Sequence, residues 1–266
     1  MRISASSYSN TAPLIWSFLY GTKKGSVEVI LDNAPSRSAA LLAEERVDAA
    51  LVPVIVYQTI PDLFVVPGVC VGSKKRVRSV CLVTSGQDLK DVDSVALDVS
   101  SKTSVAMTKI IFREFLDKEP RWIDHQPDID SMLTGADCAL LIGDPALELH
   151  TDAAKGLRKF DIVKLWRDLT GFGFVFAMWM TKRRTLDLDF ASARDEGLAH
   201  LDEILANYSD EIELTDEEMR EYLSENISFE IEESMRKGLE LYFELAEKHG
   251  LIEKRRAMDF CDSEEV

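Results

Sequence analysis

Four short stretches of this 266-residue chain join the end of an apolar run to the start of a helical pattern through small polar side chains. They are Ser9-Asn10-Thr11, Ser36-Arg37-Ser38, Ser100 to Ser104, and Gly143-Asp144. Ser, Thr, Asn and Asp at such junctions cap helices by accepting N–H groups of the first turn. The same first turn attracts anions, because its N–H groups and the helix dipole favour negative charge. In open α/β sheets these turns gather beyond the carboxyl ends of the strands, where ligands bind. Together the four turns could grip a small carboxylate; singly, each is explained by capping.

Other constellations are missing. The sequence has no GxGxxG or Walker loop, no GxSxG elbow and no HExxH. His125, His150, His200 and His249 fall in helix or loop contexts away from the four turns, which suits surface histidines. Cys70, Cys81, Cys138 and Cys261 lie far apart, without CxxC or Cys/His ligand spacing, as reduced thiols of a cytosolic protein do. A zinc site is therefore not expected. Most carboxylates belong to solvated helix faces, so no strong base is evident at the cleft.

The turns are positioned by alternating elements. Met1 to Ser6 reads as a strand, and Asn10-Thr11-Ala12-Pro13 leads into a helix over Leu14 to Tyr20. Val27 to Leu31 is a second strand; Asn33-Ala34-Pro35-Ser36 turns into a helix from Arg37 to Glu45, and Val47 to Pro53 is a third strand. Strands and helices at this spacing predict a parallel sheet of βαβ units. Val65-Val66-Pro67 and Val69 to Gly72 read as short strands, and Arg78 to Thr84 as a β-rich run able to cross between lobes. A second series follows: strand Val95 to Asp98, a cap loop at Ser100 to Ser104, an amphipathic helix from Val105 to Phe115, strand Ala139 to Ile142, and a helix after Pro145. Phe174 to Trp179 is the return strand. Helical patterns over Phe190 to Tyr208, Asp216 to Ser224 and Glu230 to His249 are expected to cover the first lobe and carry little chemistry, and Glu264-Glu265-Val266 is a solvated tail.

Composition narrows the partners. Lys and Arg number 31 against 47 Asp and Glu, and a net charge of -16 repels nucleic acid and anionic membranes. An anionic small molecule is still admissible, since a pocket's local dipoles need not follow the net charge. The N-terminal stretch lacks the apolar core of a secretory signal, and no run of eighteen apolar residues occurs, so a cytoplasmic protein without a membrane span is expected. Nothing in the sequence speaks to oligomeric state.

One set of ordered motifs carries a resemblance. Tyr8-Ser9-Asn10-Thr11-Ala12-Pro13-Leu14, Pro35-Ser36-Arg37, Asp48 to Pro53, Arg78-Ser79-Val80, Ala96-Leu97-Asp98 with Ser101 to Ser104, Leu141-Ile142-Gly143-Asp144 and Thr170 to Ala177 resemble the signature of the chorismate dehydratases of the futalosine route to menaquinone. The resemblance extends to about Ile252 and departs at Ser9, where a larger apolar residue is expected, and at Gly173, where proline is common. It implies a two-lobed α/β fold of the type II periplasmic-binding-protein kind, with a ligand cleft between the lobes. Residues 1–83 and 176–266 would form one lobe and residues 84–175 the other. It also implies loss of water from chorismate to give 3-[(1-carboxyvinyl)oxy]benzoate, with no cofactor. Asn10 is the catalytic position it implies and Ser79 a substrate contact; Thr103, Ser104, Arg37 and Asp144 are further pocket candidates. Asn10 cannot act as a base at neutral pH, but its amide can donate a hydrogen bond to developing charge. A solute-binding or sensory protein of the same fold is the alternative of a different class. The related 1,4-dihydroxy-6-naphthoate synthase is a nearer one, disfavoured by the Ser9 to Pro13 motif.

Overall fold

The computed structural model describes residues 1–32, 34–149, 156–208 and 212–262; Asn33, His150 and the Glu264-Glu265-Val266 tail lie outside them. Ten strands form two five-stranded sheets. The first holds β1 (Arg2–Ser6), β2 (Glu28–Asp32), β3 (Ala49–Pro53) and β4 (Phe64–Ser73). The second holds β5 (Val80–Thr84), β6 (Ser94–Asp98), β7 (Arg121–His125), β8 (Cys138–Ile142) and β9 (Arg158–Asp161), after which β10 (Phe174–Thr181) returns to the first. The strand orders are β2-β1-β3-β10-β4 and β7-β6-β8-β5-β9.

Each sheet has four strands running one way and one, β10 or β5, running against them, so the all-parallel expectation from the βαβ spacing needs correction. The reason is the chain path. The strand next to each parallel trio, β10 or β5, arrives from the other sheet and therefore runs against its neighbours. Val80–Thr84 belongs to the second sheet, so the crossing falls before Val80 rather than after residue 83, and Phe174 already belongs to the first.

Apolar sequence explains the central strands. β3, β5, β6 and β8 are buried at every residue, as strands covered on both faces are. The edge strands β7 and β9 carry charges, which protects an edge but hides a strand from apolar pattern reading; neither was expected. β4 is one edge strand rather than two. Pro67 and Gly68 sit where its register with β10 shifts, and an edge tolerates the missing N–H of proline.

Helices complete the lobes: α1 (Ala12–Leu19), α2 (Pro35–Ala43), α3 (Lys102–Ile110), α4 (Ile129–Gly135), α5 (Asp144–Glu148), α6 (Ile162–Thr170), α7 (Phe190–Ala199), α8 (Leu201–Tyr208), α9 (Asp216–Glu221) and α10 (Glu233–Lys248). The pattern from Phe190 to Tyr208 breaks into two helices at His200, whose ring stacks on Trp16 with centroids 4.0 Å apart. The helix expected from Val105 to Phe115 begins earlier, at Lys102, because Ser101 caps it by accepting the Ser104 N–H, and it ends in a π turn over Ile111–Phe115. A second π turn, Tyr222–Asn226, continues α9. Among the described residues, no helix is long and apolar enough to cross a membrane.

Candidate functional site

A small cavity of about 60 Å³ lies between the sheets, at the carboxyl ends of β1, β3, β6 and β8. Its floor is apolar, made by Leu51 and Pro53 of β3, Val71 of β4 and Phe176 of β10, with Val77, Val80 and Ile142 beside them. Ser6, Tyr8, Asn10, Thr11, Ser79, Ser101 and Ser104 supply the polar wall. An apolar floor with a few convergent polar groups is the usual make-up of a small-molecule site. A larger open groove, between α10 and the segment from Arg255 to Phe260, lies away from these strand ends.

Asn10, the central candidate, sits in a 3-10 turn, Ser9–Thr11, between β1 and α1. Thr11 holds that turn to the strand end by donating its hydroxyl to the carbonyls of Ser6 and Tyr8. The Asn10 amide approaches the hydroxyl of Tyr222, which donates to Ser79 Oγ at 2.7 Å. Tyr222 is fully buried in the second π turn, so the C-terminal helical region contributes to the site and does not merely cover the first lobe. Burial raises its phenol well above the ordinary value, keeping it a neutral donor.

Ser79 is placed by a strained crossing segment. Arg78 adopts φ 63°, a left-handed conformation that costs a non-glycine residue about 1–3 kcal/mol. Asp161 holds it there: one carboxylate oxygen accepts the Val77 and Arg78 N–H groups at 2.9 and 2.7 Å, while the other caps α6 through Val163 and Lys164. A single aspartate thus ties the interlobe crossing to a helix of the second lobe.

Ser104 reaches the cavity, but its N–H and hydroxyl are engaged with Ser101. The other three candidates are not on the cavity wall. Thr103 turns its hydroxyl toward the Ile55 N–H at 3.4 Å, because position two of α3 faces the first lobe, and its carbonyl accepts from Tyr242. Arg37 is exposed and pairs with Asp32 at 2.9 Å, since the end of β2 lies beside its helix turn. Asp144 accepts from Ser9 across the cleft, 2.5 Å from the hydroxyl and 3.2 Å from the N–H. It ties the lobes together, and Ser9 is fully buried because of that contact.

Tyr8 is the residue that turn chemistry missed. Its ring lies over Gly143, where an added Cβ would come within 2.8 Å of it, and its hydroxyl faces Ser100. Burial, foremost, raises the Tyr8 phenol above its ordinary value. Ser100 in turn donates to Asp98 at 2.6 Å. Asp98 is buried, its carboxyl pushed up by that burial, and its Oδ2 has no hydrogen-bond partner among the described residues. His125, His200 and His249 do not line the cavity, and no group of three or more His, Cys, Asp or Glu among the described residues is arranged to hold a metal ion. Trp166 packs in the core against Phe115 and Phe174.

Two sheets joined by crossing strands around a polar-walled cavity define a two-lobed periplasmic-binding-protein-like fold. Solved structures agree. A protein from Archaeoglobus fulgidus superposes with a TM-score of 0.74 at 17% identity, over 94% of this chain and 98% of that one. The periplasmic aliphatic sulphonate binding protein of Escherichia coli superposes at 0.63 with 15% identity, over 100% and 94%. Within this fold class, the profile of the menaquinone biosynthesis family matches residues 1–248, and the chain belongs to that family. A chorismate dehydratase from Thermus thermophilus is 28% identical over 258 residues, covering 89% of this chain and 92% of the relative.

Proposed function

We propose that this protein is a chorismate dehydratase, a cofactor-independent hydro-lyase that converts chorismate to 3-[(1-carboxyvinyl)oxy]benzoate in the futalosine route to menaquinone. Family membership and the Thermus thermophilus relative support the pathway and substrate. The observation that carries the reading is the site itself, where Asn10 and Ser79 share a cavity wall over an apolar floor. The four cysteines are free and buried, which fits work in the reducing cytoplasm.

The chemistry asks little of the protein beyond orientation. The ring hydroxyl leaves one carbon, a proton leaves the neighbouring carbon that bears the enolpyruvyl ether, and the electron pair of that C–H bond completes an aromatic ring. Aromaticity supplies much of the driving force, so positioning and donation to developing charge suffice. Asn10 donates to the departing hydroxyl or to a substrate carboxylate. Among the described residues lining the cavity there is no carboxylate or imidazole, and in this reading the proton passes to a carboxylate of the substrate or to water.

The test is incubation of the purified protein with chorismate, with products followed by chromatography and mass spectrometry. Wild type is expected to remove one water, and Asn10→Ala to lose about 10²-fold or more in rate, the usual cost of a lost oxyanion-type donor. Chorismate bound but returned unchanged would favour a solute-binding or sensory role, the reading suggested by the binding-protein neighbours. Loss of turnover in Asp144→Asn with affinity intact would point instead to an enzymic carboxylate base.

A further inference from the structure

We infer that Tyr222 is a positioning residue for this reaction, acting through Ser79; the inference rests on the dehydratase reading of the cavity. The geometry gives the hydrogen bonds a direction. A phenol has one proton, and that of Tyr222 is donated to Ser79 Oγ at 2.7 Å. Ser79, its acceptor side occupied by Tyr222, directs its own proton to the Val77 carbonyl at 3.4 Å, a long bond that a ligand oxygen would readily replace. The chain from Tyr222 through Ser79 to Val77 thus ends on a group that can only accept.

One consequence follows for the cavity. The Ser79 hydroxyl is left with a weakly held proton, ready to donate to a substrate oxygen. Tyr222 is itself absent from the cavity wall and fully buried, so it acts through Ser79. It also makes the site depend on a part of the chain 143 residues from Ser79, within the C-terminal helical region.

Tyr222→Phe keeps the ring and removes the hydroxyl. It is expected to lower kcat by about 10- to 100-fold, the range expected when a reacting geometry loosens. KM should change less than about threefold and the melting temperature by only a few degrees, the signature of an interaction used in the transition state. In a Ser79→Ala background the same substitution should cost much less, because the bond it breaks is already gone. An unchanged kcat in Tyr222→Phe, or an equal loss in both backgrounds, overturns the role of Tyr222 while wild-type turnover leaves the dehydratase reading standing. Absence of turnover by wild type overturns both. Should Tyr222→Phe fail to fold, Ser79→Ala cuts the same bond from its other end, and full kcat in that variant refutes the inference.

Discussion

The turn after β1 and the turn after β6 are alike in composition and differ in where their polar groups go. After β1, the polarity turns outward: Ser9 bonds Asp144 across the cleft, while Tyr8 and Asn10 face Ser100 and Tyr222. After β6, most of the polarity closes on itself. Asp98 accepts from Ser100, Ser101 pairs with Ser104, and Thr108 donates back to the Ser104 carbonyl. Serines and threonines at a cleft are therefore ligand groups only to the extent that their own helix or loop has not already used them. The first turn organises the site; the second mainly builds a rigid wall for it.

Three substitutions would break or sharpen that contrast. The largest effect is expected from Gly143→Ala, at the point where the first turn's Tyr8 meets the second lobe. Gly143 has φ 69° and ψ -152°, a region open essentially to glycine alone, and a Cβ would strike the Tyr8 ring. A loss of about 3 kcal/mol in denaturant unfolding is expected, together with reduced turnover. Unchanged stability would mean that the Tyr8–Gly143 contact can relax and does not set the closed arrangement.

Ser9→Ala comes next. It removes the hydroxyl bond to the Asp144 carboxylate, a bond to a charged acceptor worth about 1.5–3 kcal/mol when intact. If that bond favours lobe closure, chorismate KM should rise about tenfold, equivalent to about 1.4 kcal/mol, with kcat little altered. X-ray scattering should then show less compaction on adding chorismate; identical compaction in both proteins would leave Ser9 as local packing only.

The smallest effect is expected from Asp98→Asn in the second turn. Burial raises the Asp98 carboxyl above its ordinary value, so ionisation at neutral pH weakens the folded state. Asparagine can still accept from Ser100 without that charge. The variant should melt slightly higher than wild type at pH 7, and the gap should narrow as pH falls into the ordinary aspartate range, where wild type regains the lost stability. A variant less stable than wild type at pH 7 would show that the Ser100 bonds outweigh the burial of charge.

Much of the framework was legible in residue order. Fully buried apolar runs announced β3, β6 and β8, proline and cap residues announced α1 and α2, and ordered motifs announced the family. Both departures from the family pattern have local reasons in the fold. Ser9 donates to Asp144, which an apolar residue could not do. Gly173 donates its N–H to Ser234 at 3.0 Å, which proline could not, and its carbonyl is closely approached by Gly238 of α10.

The sequence by itself determined the strand-to-helix turns and the residue types that cap them, because capping, turn conformation and apolar periodicity are local effects, decided within a few residues. Only the tertiary structure decided which of those residues face a ligand. Ser79 is held by Tyr222 on the same cavity wall as Asn10, and Thr103, Arg37 and Asp144 are drawn to Ile55, Asp32 and Ser9. Each of these partners but Asp32 lies tens of residues away or more in the chain, and a polar side chain commits to whichever partner the packing brings within about 3 Å. The distinction between a cap, a latch and a ligand contact is a matter of distance, which turn composition does not contain.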